Sequence, residues 1–310
     1  MTVERIQIQS RDQWLAARKQ DVTASTAAGL LGLHPYVTPY ALHQFKSGAI
    51  ADDTDETQPM RRGRLLEPVA VQMIREDYPD IKLDDYPVGY YYRDPEHRIG
   101  ATPDLLATDA KGRLGVVQIK NCEPSIFRRD WRGENGGVDP PLWIVVQALI
   151  EAYLTGAEWA AVAPMRVSFG VEIELIPIPL HAGIIDRIKY EVAEFWERVE
   201  RGTPPDPDYG KDGALIAKLF PKDDGSEIDL SADNMAPQLV ADLERARADK
   251  KDAETREKIA KTGINEKMGP ARFARLADGR RISNSTIDRK AYEVAATSFR
   301  MIKILNGRAA

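Results

Sequence analysis

Asp104, Gln118 and Lys120 are spaced as they would be in a metal-dependent phosphodiesterase. Cleaving a phosphodiester with magnesium takes hard oxygen ligands, a nucleophilic water and stabilisation of developing negative charge. Asp104 falls at a predicted strand end, and Gln118 and Lys120 lie two apart on the next strand. Residues i and i+2 project from the same face of a strand. Gln118 and Lys120 therefore project together, while Ile119 points into the opposite layer and its backbone carbonyl offers another oxygen. Glu67, on a helix upstream, is the candidate second carboxylate. Lys120 could orient or deprotonate the water, or offset charge on the phosphate. Alone, an Asp followed by Gln-x-Lys is a weak pattern, because polar residues are common at strand ends. A lone Glu67 reads more simply as a helix-surface acid. The order of elements around these residues gives the pattern its weight.

Those elements are read from periodicity. "SRDQWLAARKQ" (10–20) predicts a short helix capped by Ser10. "VTASTAAGLLG" (22–32) predicts a second, capped by Thr23 or Ser25 and closed by Gly32. Thr38-Pro39 starts a third. Residues 49–60 read as an acidic loop. In 60–80, Leu65, Leu66, Val69, Met73 and Ile74 recur at helical spacing, and Glu67 sits beside that stripe. "PVGYYYRDPEHRIGATPDLLAT" then reads as strand, turn at Asp94-Pro95, strand, and "RLGVVQIKN" as a third strand. An apolar helix follows (141–156), then two strands within 159–180 and an amphipathic helix over 184–202. The result is a mixed α/β sandwich rather than a doubly wound sheet.

Residues 203–230 are rich in Pro, Gly and Asp and read as a linker. They divide a domain at 1–202 from an extension at 231–310. The extension begins with a long charged helix (236–263) and has "ADGRR" as a hairpin turn. Arg272, Arg275, Arg280, Arg281, Arg289, Lys290, Arg300, Lys303 and Arg308 make its end locally basic.

The formal net charge of −5 excludes a uniformly basic nucleic-acid coat, so DNA contact must use local patches. One cysteine, Cys122, precludes an intrachain disulfide and fits a reducing cytoplasm. There is no apolar signal core and no membrane-length apolar run. The four histidines lack zinc spacing, and no phosphate-cradling glycine loop is present. "FRRDWRGENGG" places Arg128, Arg129, Trp131 and Arg132 in a basic-aromatic cluster that could grip DNA, or that is simply an exposed loop.

The segments "WLAARKQDVTAS", "RGRLLEP", "YYRDPEHRIGATPD", "VVQIKN" and "VVQALIEAY" together resemble the phage lambda exonuclease and YqaJ viral recombinase family of the PD-(D/E)XK nuclease superfamily. The likeness spans about residues 10–200, and the C-terminal "INEKMGPARFARLADGRRIS" resembles the end of longer YqaJ-type proteins. It implies a PD-(D/E)XK core: a central mixed sheet flanked by helices, with a small C-terminal helical and hairpin extension. It also implies roles. Glu67, Asp104, Gln118 and the Ile119 carbonyl would hold magnesium, with manganese able to substitute. Lys120 would assist the water, and Gln147 would lie close to the site. Arg18 and Ser25 would receive a DNA 5′-phosphate, which suits the guanidinium fork and a hydroxyl near a helix start. The substrate would be double-stranded DNA with a 5′-phosphate end, resected to a 3′ single strand for a single-strand annealing protein. A ring-shaped homotrimer is implied as well.

One position departs from the family. Gln118 stands where Glu is usual. It keeps the size and one oxygen and loses a charge on which magnesium affinity depends. Natural variation tolerated by the site, an engineered inactivating change and lost catalysis with retained DNA binding all account for it; intact motifs elsewhere favour the first. The alternative functions are accordingly a weakened or non-catalytic DNA-binding protein on the same fold, or a structure-selective endonuclease.

Overall fold

The computed structural model describes residues 2–51, 56–84, 86–133, 136–291, 293 and 296–304. Its contacts divide the chain into two units, Met1–Leu219 and Phe220–Ala310. The first unit runs β1 (Glu4–Gln7), α1 (Arg11–Gln20), β2 (Val22–Thr23), α2 (Ala24–Ala27), α3 (Pro39–Lys46), α4 (Gln58–Asp77), β3 (Lys82–Leu83), β4 (Tyr90–Asp94) and β5 (Ile99–Ala101). It continues with β6 (Leu105–Thr108), β7 (Leu114–Cys122), α5 (Pro124–Asp130), α6 (Leu142–Thr155), β8 (Trp159–Val167), β9 (Val171–Ile173), β10 (Ile176–Ile178), α7 (Ala182–Arg201) and α8 (Gly213–Leu219). This is the mixed α/β sandwich expected, a central mixed sheet flanked by helices.

Side-chain caps start α1 and α3 where the sequence says. The Gln13 N–H donates to Ser10 Oγ at α1 (3.2 Å), and the Ala41 N–H to Thr38 Oγ1 at α3 (2.9 Å). Gly156 and Gly202 close α6 and α7 in the left-handed conformation, where a side chain would be strained. The helix expected over 22–32 is corrected to the single turn of α2. Beyond it the backbone makes tighter links, Gly29 N–H to Thr26 O and Leu30 N–H to Ala27 O.

The strand expected to follow the Asp94-Pro95 turn is two strands in different sheets. Pro103 has no N–H to give a ladder, and the chain breaks there. β5 stays in a small sheet of order β1-β4-β5-β2, while β6 enters the main sheet, β10-β8-β7-β6-β3, with β9 on β8. Asp104 is the residue at the break. β1 was not foreseen, and 159–180 holds three strands rather than two. β6 pairs antiparallel with β7, and β7 pairs parallel with β8. A parallel pair needs a crossover, and α6 lies on it.

Alternation along β7 sorts its side chains between two cores. Val116 joins the larger core with Ile144, Ala148 and Ile150 of α6. Val117 and Ile119 join a second core with Ala70, Val71 and Ile74 of α4. Gln118 and Lys120 consequently share the α6 side, with Ile119 opposite, as their spacing predicted.

The stretch 203–230 contains α8, which belongs to the first unit. Its preceding Asp212 is buried and accepts from Thr38 Oγ1 at 2.7 Å. The second unit holds the long helix α9 (Ala236–Met268) and the hairpin of β11 (Phe273–Arg275) and β12 (Arg281–Ser283), turning through Gly279. Arg308 and residues 52–55 of the acidic loop lie outside the described residues. Among the described residues no helix is long and apolar enough to cross a membrane.

Candidate active site

β6 and β7 stop pairing beyond Leu105↔Val117, and the freed Ile119 N–H is taken by Asp104 Oδ2 at 2.9 Å. Gln118, 1% exposed, donates its Nε2 to the same oxygen. The Gln118 Oε1 accepts from Gln147 Nε2 at 2.8 Å, and Gln147 Oε1 accepts from Lys120 Nζ at 2.9 Å. Buried amides need partners on both ends. Gln147 and Gln118 find them in each other and in the two charged residues on either side.

Glu67 reaches the same place from α4. Its Oε1 accepts from Tyr86 OH at 3.0 Å. Burial raises the Glu67 pKa, against the opposing pull of the Tyr86 hydrogen bond and the Lys120 charge. Burial also pushes Asp104 up to about 7; Lys120 resists the rise and the Glu67 charge adds to it. Two carboxylates raised by burial, one of them also by the charge of the other, with one lysine beside them, lack positive charge. The other donors are an amide and the Ile119 carbonyl. An all-oxygen set of this kind fits a hard divalent cation such as magnesium. Gln118 is the exception as it stands, because it turns nitrogen, not oxygen, towards Asp104.

Arg18 and Ser25 are also brought together. The guanidinium donates to Ser25 Oγ at 3.3 Å and stacks on Trp14 with 4.4 Å to the ring centre. Ser25 Oγ lies 3.1 Å from Thr23 Oγ1. His34 joins this pair to the lysine. It hydrogen-bonds the Ser25 backbone, its ring lies 5.0 Å from that of Trp143, and Lys120 Nζ sits 5.3 Å from the Trp143 ring. A cleft of about 580 Å³ opens beside Lys120, lined by Tyr36, Trp143 and Ile126 among others.

His34 is buried, and its Nδ1 accepts from the N–H groups of Tyr36 (3.1 Å) and Val37 (2.9 Å). Burial and then the charges of Lys120 and Lys211 lower its pKa to about 4. The unfolded chain, at 6.5, takes up the proton first. The neutral ring therefore contributes fully above pH 6.5, and its contribution falls as pH drops towards 4. Between pH 7.5 and 5 we expect wild type to lose about 2 kcal/mol more unfolding free energy than His34→Gln. Equal losses in urea titrations of the two proteins would refute this.

Three further residues bear on the site. Asp94 stays outside the site: its Oδ1 accepts from the Glu96 (3.1 Å) and His97 (3.2 Å) N–H groups, and its Oδ2 from His97 Nδ1 (2.7 Å) and Tyr153 OH (2.6 Å). Asp94, Glu96 and His97 could approach one metal ion, but Asp94 is already occupied in capping this turn. Trp131 is turned inward rather than exposed with its neighbouring arginines. It is 3% exposed and stacks on Phe127, while the neighbouring Arg129 pairs with Asp130. Glu151 was missed altogether. It is 1% exposed and accepts from Gln147 Nε2 at 2.9 Å. Its signal was an acid in an apolar helix, four residues after Gln147 and so on the same face.

A helix acid, an acid at a strand break and a Gln-x-Lys strand are thus brought together, the set that the sequence resemblance implied, with Gln at the second acid. Comparison with solved structures gives an alkaline exonuclease from Laribacter hongkongensis, LHK-Exo, at 22% identity and TM-score 0.45, covering 67% of this chain and 100% of that one. A phage-related exonuclease from Haemophilus somnus 129PT aligns at 11% identity and TM-score 0.42, covering 64% and 96%. No curated protein matches the chain. Residues 13–158, just under half of the chain, match the YqaJ-like viral recombinase domain.

Proposed function

We propose that the protein is a magnesium-dependent deoxyribonuclease that resects linear duplex DNA from 5′-phosphorylated ends, leaving 3′ single strands for an annealing protein. The observation that carries this reading is the linkage of the Arg18–Ser25 pair to Lys120 through His34 and Trp143. A terminal phosphate on the first pair would set how far the chain runs to the lysine. That geometry suits an enzyme that counts from an end. Glu67, Asp104 and the Ile119 carbonyl would hold the cation, which supplies Lewis-acid charge at the phosphate and acidifies bound water. Lys120 would place its ammonium against the developing charge, with Gln147 fixing it beforehand. The cleft beside Lys120 offers room for the nucleotide at the cleaved end.

The test is digestion of matched linear duplexes bearing 5′-phosphate or 5′-hydroxyl ends, with magnesium. Wild type is expected to prefer the phosphate at least about tenfold, a fair value for a charge-assisted guanidinium contact, and Arg18→Ala to lose that preference. Equal rates on both ends, or cutting of closed circles, would remove the end-dependent reading. The donor that Gln118 turns to Asp104 favours the second reading, a DNA-binding protein without catalysis. Cleavage by no divalent metal, even in Gln118→Glu, would decide for it.

A further inference from the structure

The hydrogen-bond chain behind Asp104 has a direction, and Lys120 sets it. An ammonium only donates, so the Gln147 atom facing it is Oε1. The Gln147 Nε2 then points inward and donates to Gln118 Oε1 and Glu151 Oε1. With its oxygen engaged there, Gln118 is left to show Nε2 to Asp104. A glutamate at 118 would carry oxygen at both ends and face no such choice. In this chain the direction of two amides determines whether position 118 meets a cation with an oxygen or with a donor.

Glu151 is only half used in the arrangement just described, through Oε1. Gln147 Nε2 already has Gln118 as acceptor, and Glu151 Oε2 is buried with no hydrogen-bond partner. An idle buried oxygen on a carboxyl is costly. Burial, and then the charge of Asp104, raise the pKa of this carboxyl well above its ordinary value, which favours its O–H form. Turning both amides over, with the carboxyl turning to bring Oε2–H towards Gln147, gives that O–H a use. Gln147 Oε1 would then accept from both Gln118 Nε2 and the Glu151 hydroxyl, two donors for two lone pairs. Gln118 Oε1 would face Asp104. Gln147 Nε2 would face Lys120, donor against donor, so the ammonium would leave for the substrate. No proton changes owner.

We propose that Glu151 is a positioning residue whose carboxyl O–H lets the Gln147 and Gln118 amides turn over, so that position 118 offers an oxygen to a divalent cation and Lys120 is released. The carboxyl missing from position 118 is thus restored one layer back, on α6. This rests on the reading that Asp104 and Glu67 hold a cation.

Manganese binding to the full chain without DNA, measured by calorimetry and by electron paramagnetic resonance, tests it. Thermal melting checks that each variant is folded. Glu151→Leu is expected to weaken binding about 5–10-fold, the size of one lost hydrogen bond. In Gln118→Glu the same change should matter less than twofold, because a carboxylate has no amide to turn. Glu151→Gln should bind within twofold of wild type, since its N–H donates as the O–H did. Equal weakening by Glu151→Leu in both backgrounds, or weakening by Glu151→Gln as large as by Leu, would make Glu151 merely structural and overturn the proposal. No effect in either background would overturn it too. Manganese binding by none of these proteins, Gln118→Glu included, would overturn the cation reading and this proposal with it.

Discussion

Lys120→Ala is expected to slow DNA cleavage by about 100- to 10,000-fold, the range of a lost charge-stabilising or proton-transferring group. Two losses combine. The ammonium that would meet charge on the phosphate is gone. The positive charge that lowers the pKa of both Glu67 and Asp104 is gone as well. Both carboxyls would then hold protons more tightly, and a cation would have to displace those protons. Single-turnover rates at rising magnesium separate the effects: excess metal should restore the second loss but not the first. DNA affinity should change little, because one cation among many phosphate contacts contributes a small share. Lys120→Arg keeps the charge but not the compact, flexible ammonium, and should recover metal affinity more fully than rate. A Lys120→Ala rate within tenfold of wild type at saturating magnesium would remove the lysine from the mechanism.

The parts of this site that were legible in sequence depend on short-range geometry. Two-residue alternation placed Gln118 and Lys120 on one face of β7 and Ile119 on the other, and the two cores bear this out. Capping residues and glycine stops marked helix ends because their chemistry is local. What escaped prediction was pairing between distant segments. Pro103 was visible, but nothing nearby says that strand residues before it join one sheet and those after it another. Parallel pairing of β7 with β8 spans a whole crossover. Trp131 looked like a partner for Arg128 and Arg132 in "FRRDWRG", yet aromatic area drives it inward onto Phe127 while the arginines stay in water. Glu151 hid in "VVQALIEAY" because an apolar helix was assigned from its majority. Its meaning lies in Gln147, Gln118 and Asp104, on three different elements.

Asp104→Asn should abolish activity, by about 1,000-fold or more, and at the same time stabilise the metal-free protein. The rate loss follows from removing the central carboxylate of an oxygen-ligand site. The stability gain follows from the carboxyl's own situation. Its pKa in the fold is about 7 against an ordinary 3.8, so ionising it works against folding across that interval. Below pH 4 it is neutral in both states and costs nothing. As pH rises the unfolded chain ionises freely, the folded one resists, and the penalty grows until about pH 7. The amide variant, which has no proton to lose, escapes it. Both hydrogen bonds to Asp104 fall on one oxygen, Oδ2, from Ile119 N–H and Gln118 Nε2, so an asparagine oxygen can accept both. Asp104 retains some solvent exposure, which trims the full interval to an expected gain of about 1–3 kcal/mol at neutral pH in chelator. Urea unfolding of both proteins from pH 4 to 8 should show curves that coincide at the acid end and diverge towards pH 7. A mutant less stable than wild type at pH 7 would mean that the Asp104 carboxylate is held by the fold for its own sake. A more stable but inactive mutant would mean that the fold carries this carboxyl at a cost, as a site kept ready for a cation does.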